Sequence, residues 1–128
     1  MKKIFSFILV LVLTLSCFVF SASAETPTAS PASANRNFIL PTHYGYYEVP
    51  YNTVVGYGNE TSGYNVKATQ SCLKTMYEEY GINCYPGDID SLFGPDTYNA
   101  IYNFQVAENL SADGRAGNQT FGKFETML

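Results

Sequence analysis

The sequence contains a single histidine, His43, among its 128 residues. A zinc site built from several histidines is therefore excluded. A Ser-His-Asp triad would have to use this one residue, which lies in a Tyr- and Gly-rich segment with nothing to position it rigidly. The scarcity of histidine thus argues against a zinc hydrolase and against a serine hydrolase.

Basic residues are also scarce, since the chain has seven Lys and Arg against eleven Asp and Glu. Two of the seven, Lys2 and Lys3, fall in a segment that we expect to be removed, which leaves five and a net charge of about −6. Such a chain has no basic face for phosphate, so nucleic acid is not expected as a partner. Anionic wall polymers would be weakly repelled, so any wall binding must rest on stacking and hydrogen bonds.

The amino terminus carries the three parts of a secretory signal peptide. A basic start over residues 1–3 is followed by an almost unbroken apolar run over residues 4–20 and by the small residues of a cleavage site at 22–24. We predict a signal peptide over residues 1–24 and an exported chain without membrane association after cleavage. Two alternatives stay open: a membrane anchor, because the run is near the shortest span of about 17 residues, and a lipoprotein acylated at Cys17.

Removal of this segment leaves an even pair of cysteines, Cys72 and Cys84. An exported chain meets oxidising conditions, so the pair predicts a disulfide that closes a short loop. By chain entropy, this bond would stabilise the fold by about 2–3 kcal/mol. The alternative is two free thiols. Neither the spacing nor the neighbours of the cysteines indicate a metal site, and no cofactor is expected.

Two further segments precede the regular part of the chain. Residues 25–35 are rich in Pro, Ser, Thr and Ala and contain nothing large to bury, which predicts a spacer. Residues 36–61 combine tyrosines with Pro and Gly, which argue against a helix, and Glu48-Val49 and residues 53–55 are candidate short strands. We expect an extended or hairpin-like Tyr/Gly-rich arm that either stacks on sugar rings or covers apolar surface of the following domain.

From Ser62 onward, apolar residues recur at helical spacing. The pattern predicts a first helix that ends at Gly81, a second that opens at Pro95 and a third that starts near Asn118. Residues 62–128 are therefore expected to form a small three-helix bundle. The predicted fold class is all-α, with the extended arm in front of the bundle.

Two loops, each just before a predicted helix, share one spacing of Asp, Gly four residues later and Thr three residues after that. These residues are Asp90, Gly94 and Thr97 in the first loop, and Asp113, Gly117 and Thr120 in the second, where Gly114 also follows the Asp. An Asp side chain accepts backbone N–H groups in its own turn, Gly permits a positive φ, and Thr caps or back-bonds in the first helical turn. We interpret these residues as structural turn residues rather than as ligand contacts.

The ordered set of signals resembles the peptidoglycan-binding domain of the three-helix type, also called the PGBD-like family. The matching positions are Gly63-Tyr64-Asn65-Val66, Thr69-Gln70, Gly81, Ile89-Asp90-Ser91-Leu92-Phe93-Gly94, Thr97, Ala100-Ile101, Phe104-Gln105, Asn109-Leu110, Asp113-Gly114, Gly117, Thr120 and Phe124. Thr69 and Phe124 replace Leu of the family pattern, and Ser91 and Asn109 replace Gly. Single pieces are weak, but their order and spacing match over residues 63–128.

The resemblance implies that the ligand is peptidoglycan (murein), bound through its glycan or its stem peptide. We therefore expect a secreted, non-catalytic protein of the bacterial cell wall that localises itself or a partner to murein. The alternative is an exported protein-interaction module that regulates or accompanies a cell-wall hydrolase or a spore or wall component. An enzyme is not expected, because a three-helix domain offers little cleft for two facing carboxylates.

The candidate ligand residues on the second predicted helix are two tyrosines and two asparagines. Tyr98 and Tyr102 lie one turn apart and offer rings for stacking. Asn99 and Asn103 follow the same spacing and offer amides for hydrogen bonds to sugar hydroxyls or peptide groups.

Three further candidates lie in loops. Arg115 is the basic side chain of the second loop and would contact a stem-peptide carboxylate, with a solvated Arg as the alternative. Tyr64 and Tyr85 lie in segments that the resemblance places near the helix ends. The sequence does not decide which feature of murein these residues meet.

Overall fold

Five secondary-structure elements make up residues 36–128, the part of the chain that the computed structural model describes. In chain order they are β1 (Asn37–Thr42), β2 (Gly45–Pro50), α1 (Tyr64–Tyr80), α2 (Pro95–Ala107) and α3 (Asn118–Met127). The predicted signal peptide and spacer, residues 1–24 and 25–35, lie outside the described residues. No helix in the described range is long and apolar enough to cross a membrane.

The predicted all-α fold class is wrong, because the Tyr-rich segment forms an antiparallel hairpin that belongs to the fold. Strands β1 and β2 pair from Asn37 opposite Pro50 to Thr42 opposite Gly45. The candidate strand at residues 48–49 lies within β2, whereas residues 53–55 lie in a loop, where Val55 forms isolated bridges. Strand β1 was not among the candidate strands.

The hairpin forms because its apolar side chains alternate along each strand. Phe38 and Leu40 of β1 and Tyr47 and Val49 of β2 are buried, and the residues between them face outward. Period-two burial lets one face of a hairpin pack on helices while the other meets water. The ring of Phe38 lies 5.8 Å from that of Phe121 in α3, so the hairpin completes the core that the helices alone would leave open.

The three predicted helices are confirmed, and their ends follow the residues that predict them. Gly81 ends α1 in the left-handed conformation, with φ at 68°. Pro95 opens α2 at its first position, where its missing N–H costs nothing. Asn109, just after α2, also has a positive φ, at 60°, which Asn tolerates better than most residues.

The predicted disulfide is absent, since Cys72 and Cys84 are both buried free thiols. The Sγ atom of Cys84 lies 3.3 Å from the carbonyl oxygen of Leu73. Cys84 thus contacts the backbone of α1 at the residue that follows Cys72. Burial raises the pKa of both thiols, that of Cys84 to about 12.

Candidate functional site

A buried glutamine of α1 ties together the loop that joins α1 to α2 (loop 1). The Gln70 amide oxygen accepts the N–H groups of Asp90 and Ser91 at 3.1 and 2.9 Å. Its amide nitrogen lies within 3.1 Å of three acceptors: the carboxylate of Asp90, the carbonyl of Leu92 and the hydroxyl of Thr97. Because the amide is fully engaged, loop 1 is held rigidly against the start of α2.

A second glutamine repeats this arrangement one helix later, in the loop that joins α2 to α3 (loop 2). The Gln105 amide oxygen accepts the N–H groups of Asp113 and Gly114 at 3.0 and 2.9 Å. Its nitrogen meets the Asp113 carboxylate, the Arg115 carbonyl and the Thr120 hydroxyl at 2.8–3.2 Å. The Asp-Gly-Thr spacing of the sequence thus reflects two glutamine-centred loops, and the hydroxyls accept bonds from glutamine instead of capping the helix.

The glycines of this spacing do not have the positive φ that the sequence analysis attributed to them. Gly94 and Gly117 are the residues just before α2 and α3, with extended backbones at φ −142° and −115°. The left-handed position in each loop directly follows the Asp, at Ser91 with φ 66° and at Gly114 with φ 74°. Glycine is therefore required at 114, and Ser91 carries a backbone strain that glycine would relieve.

An exposed row of tyrosines runs beside loop 2. The ring centroid of Tyr98 lies 5.9 Å from that of Tyr57 and 6.4 Å from that of Tyr102, with interplanar angles of 28° and 20°. Tyr98 also covers Gly114, where a Cβ atom would overlap its ring. Tyr57 is fixed on its other side by an edge contact with Phe93, at 4.9 Å. The row is thus held by the domain, with Tyr57 and Tyr102 exposed to solvent.

Arg115 stands at the edge of this row. Its Cγ atom would lie 2.9 Å from a Cβ atom on Gly56, so its stem packs against the backbone next to Tyr57. Arg115 forms no ion pair with any acid among residues 36–128. We refer to Tyr57, Tyr98, Tyr102 and Arg115 together as the α2 surface, which combines aromatic rings with a guanidinium that lacks a carboxylate partner.

The structure therefore brings three of the seven predicted ligand residues together and adds one that the sequence analysis did not select. Asn99 and Asn103 are exposed on α2, next in sequence to the tyrosines of the row. Tyr57 was missed because its partners lie far along the chain, in loop 1 and α2. Its only sequence signal was its place among the tyrosines of the arm.

Two predicted residues lie away from the α2 surface. Tyr64 opens α1, accepts the N–H of Glu48 on its hydroxyl at 3.0 Å, and meets the ring of Tyr47 edge-on at 5.5 Å. It therefore supports the hairpin while half of its surface stays exposed. Tyr85 lies in loop 1 against Tyr77 of α1, with ring centroids 5.2 Å apart.

Comparison with known families identifies the helical part of the chain. Residues 62–124 match the family described as “Putative peptidoglycan binding domain”, so this segment belongs to that family and forms a peptidoglycan-binding domain. The match begins just before α1 and ends in α3. It therefore contains both glutamine-centred loops and all of the α2 surface except Tyr57.

Individual proteins are similar to parts of this chain. The chain is 32% identical over 98 residues to the N-acetylmuramoyl-L-alanine amidase CwlL of Bacillus licheniformis, a match that covers 77% of this chain but only a quarter of the amidase. It is 36% identical to a peptidoglycan-binding protein from Clostridioides difficile, crystallised with glutamine hydroxamate, with a TM-score of 0.52 over 66% of this chain and 48% of that one. The SleB N-terminal domain is 37% identical over 59% of this chain and 93% of its own, with a TM-score of 0.49.

Proposed function

We propose that this chain is an exported, non-catalytic protein that binds murein through the α2 surface. The observation that carries the proposal is the row of tyrosines near Arg115, which forms no ion pair among residues 36–128, on a domain of the peptidoglycan-binding family. Murein offers both complementary groups, because its sugars present apolar ring faces and its stem peptides end in carboxylates. Tyrosine rings stack on the first, and an arginine fork binds the second.

The electrostatics of the chain favour this surface over others. The described residues carry more acids than bases, so a bound carboxylate is repelled over most of the domain. Near Arg115, the positive guanidinium attracts a ligand carboxylate instead. The neighbouring acid, Asp113, is already engaged by the N–H of Arg115 and by the Gln105 amide, at 2.9 and 3.2 Å. The Arg115 guanidinium is thus free to meet a ligand.

The absence of catalysis is proposed from the properties of an acidic pocket in the described part. This pocket, of about 170 Å³, lies beside loop 1 and is lined by Asp88, Asp90 and Asp96. It is smaller than ordinary ligand sites of about 300–1,000 Å³. Hydrogen bonds from the Leu92 N–H and the Gln70 amide lower the pKa of Asp90. A glycosidase acid needs a raised pKa, so Asp90 is unsuited to that role.

Export is proposed from the signal-peptide pattern of residues 1–24, which fits the location of peptidoglycan. Relatives named as an amidase and as a peptidoglycan-binding protein also favour an extracellular or cell-wall location. Export would place the chain directly at its ligand.

Co-sedimentation with purified, protein-free sacculi tests the proposal. The wild-type chain is expected to pellet with the sacculi, and Tyr102→Ala to bind about ten-fold more weakly, as removal of one well-placed aromatic contact does. The matched control is Tyr46→Ala, because Tyr46 is the most exposed of the described tyrosines and lies on the hairpin, outside the α2 surface. The proposal would be overturned if both variants lost sacculus binding equally, or if the wild type did not pellet with the sacculi.

A second candidate function is targeting of a separate cell-wall hydrolase. The observation in its favour is that a curated relative is an amidase of which this chain matches only a quarter. In that case the domain supplies in trans what the amidase carries in its own chain. The check is whether the chain raises the activity of a wall amidase on sacculi but not on a soluble substrate.

A further inference from the structure

The basic residues of the described part fall into two groups. Arg36 and Lys123 pair with Glu125 and Glu108, at 2.5 and 3.6 Å. The other three, Lys67, Lys74 and Arg115, form no ion pair among residues 36–128. Arg115 belongs to the α2 surface. The question is whether Lys67 or Lys74 also lies close to exposed tyrosine rings.

Lys74 lies close to two tyrosine rings. Its Nζ atom lies 5.0 Å from the ring centroid of Tyr44 and 5.8 Å from that of Tyr85. Tyr85 in turn packs on Tyr77, and all three rings are partly exposed. We refer to Tyr44, Lys74, Tyr77 and Tyr85 as the Lys74 surface. Lys67, by contrast, is exposed and lies over no aromatic ring of the described residues.

The acids next to Lys74 are held by other groups. Both carboxylate oxygens of Glu78 accept the Tyr44 hydroxyl at 2.6 Å, and His43 lies 3.8 Å from the same carboxylate. His43 also contacts Glu79, at 2.5 Å. These contacts draw the two glutamates toward the hairpin turn. The ammonium of Lys74 is therefore left to meet a ligand carboxylate between the two tyrosine rings.

The two surfaces share no residue and lie at different levels of α1. The α2 surface is linked to the amino end of α1, because Tyr57 packs on Phe93 and the neighbouring Ser91 accepts the Gly63 N–H at 2.9 Å. Tyr77 lies thirteen residues beyond the start of α1, about 20 Å along the axis at 1.5 Å per residue. The two surfaces therefore lie apart along α1.

From this repeated chemistry we infer that the Lys74 surface is a second site for carboxylate-bearing murein fragments, so that one chain holds the wall polymer at two points. The inference rests on the proposed murein binding by the α2 surface. Each site alone is small and binds weakly. A polymer that presents many identical repeats engages both sites at once, and the second contact benefits from a high effective concentration.

Calorimetric titration of the purified chain with soluble muropeptides, the disaccharide–peptide units of murein, tests this inference. The wild type is expected to bind two fragments per chain. Lys74→Gln removes the charge with little change in size and should bind one, and its retention on intact sacculi should fall at least about ten-fold as the two-point attachment is lost. Lys67→Gln is the matched control and should behave as wild type. Tyr85→Ala, in a loop, repeats the test should Lys74→Gln fail to fold.

The outcomes separate this inference from the proposed function. A wild type that binds one fragment, loses it in Tyr102→Ala and keeps it in Lys74→Gln contradicts the second site and leaves murein binding intact. Two fragments bound by both the wild type and Lys74→Gln also contradict it, because the second site then lies elsewhere. A wild type that binds neither fragments nor sacculi overturns both proposals.

Discussion

The ring of Tyr98 fills the space in which a side chain on residue 114 would begin. A Cβ atom on Gly114 would overlap this ring, and the positive φ of Gly114 independently favours glycine. Tyr98 is consequently pinned between loop 2 and Tyr57, with Tyr102 one turn further along α2. The aromatic row that we propose for murein binding thus depends on a residue without a side chain.

Replacing Gly114 by alanine has two costs, the strain of a positive φ and the displacement of the Tyr98 ring, and a control variant separates them. Gly114→Ala should destabilise the fold by about 3 kcal/mol, since a left-handed non-glycine residue costs about 1–2 kcal/mol and the Tyr98 ring must also move. Gly81→Ala is the control, because Gly81 has a similar φ of 68° with nothing within 4 Å of its Cβ position. Gly81→Ala should lower the free energy of unfolding only by the cost of backbone strain and leave sacculus binding intact. Equal losses in urea unfolding would show that Tyr98 does not depend on Gly114.

Gln105 is expected to be one of the most sensitive polar positions of the domain. Gln105→Leu keeps the volume but leaves the N–H groups of Asp113 and Gly114 without their acceptor, at a cost of about 2–4 kcal/mol. Gln119→Leu is the control, since Gln119 is exposed and makes one long bond, 3.4 Å from the Ser111 nitrogen. It should change the free energy of unfolding by less than about 0.5 kcal/mol. A small effect at Gln105 would mean that loop 2 is not held through its amide.

The two cysteines should be unreactive toward thiol reagents in the folded protein and reactive after unfolding. Burial raises the pKa of both thiols, so almost no thiolate, the reactive form, exists at neutral pH. A chromogenic thiol reagent should detect neither Cys72 nor Cys84 in the native chain and both in denaturant without reductant. If they react in denaturant only after a reductant is added, the disulfide expected from the sequence exists after all.

Tyr44 gives the protein a pH dependence in the alkaline range. Its hydrogen bond to Glu78 raises its pKa from 10.0 to about 12. Because the folded-state pKa is the higher one, this contribution to stability is fully present below pH 10 and is lost as the pH rises toward 12. The melting temperature should therefore decrease more steeply with pH across this range for the wild type than for Tyr44→Phe. Parallel slopes would show that the bond to Glu78 does not form in solution.

The sequence predicts the three helices and a hairpin-like arm with a strand at residues 48–49, but it misses β1, for a physical reason. Proline argues against strands, yet Pro41 and Pro50 lie in β1 and β2. They are tolerated because a two-stranded hairpin is all edge, where a missing N–H breaks no ladder bond. Outward N–H groups that do exist are covered by side chains, as when Ile39 donates to Glu125 at 2.8 Å. Such contacts between distant residues leave no local pattern.

The candidate site shows the same division. Tyr98 and Tyr102 follow from helical spacing alone, and the repeated Asp, Gly and Thr spacing indicates the two loops. Tyr57 joins them only through tertiary packing on Phe93. An even number of cysteines likewise predicted a bond, but both cysteines are buried in the core as free thiols, which the count of cysteines cannot show.

NMR chemical-shift mapping of the isotope-labelled chain with added muropeptide tests the central claim most directly. Titration with soluble disaccharide–peptide should shift the backbone and ring signals of Tyr57, Tyr98, Tyr102 and Arg115 in a saturable way, with the exposed Tyr46 on the hairpin unaffected. Saturable shifts confined to residues outside the α2 surface, or no shifts at all, would contradict the account.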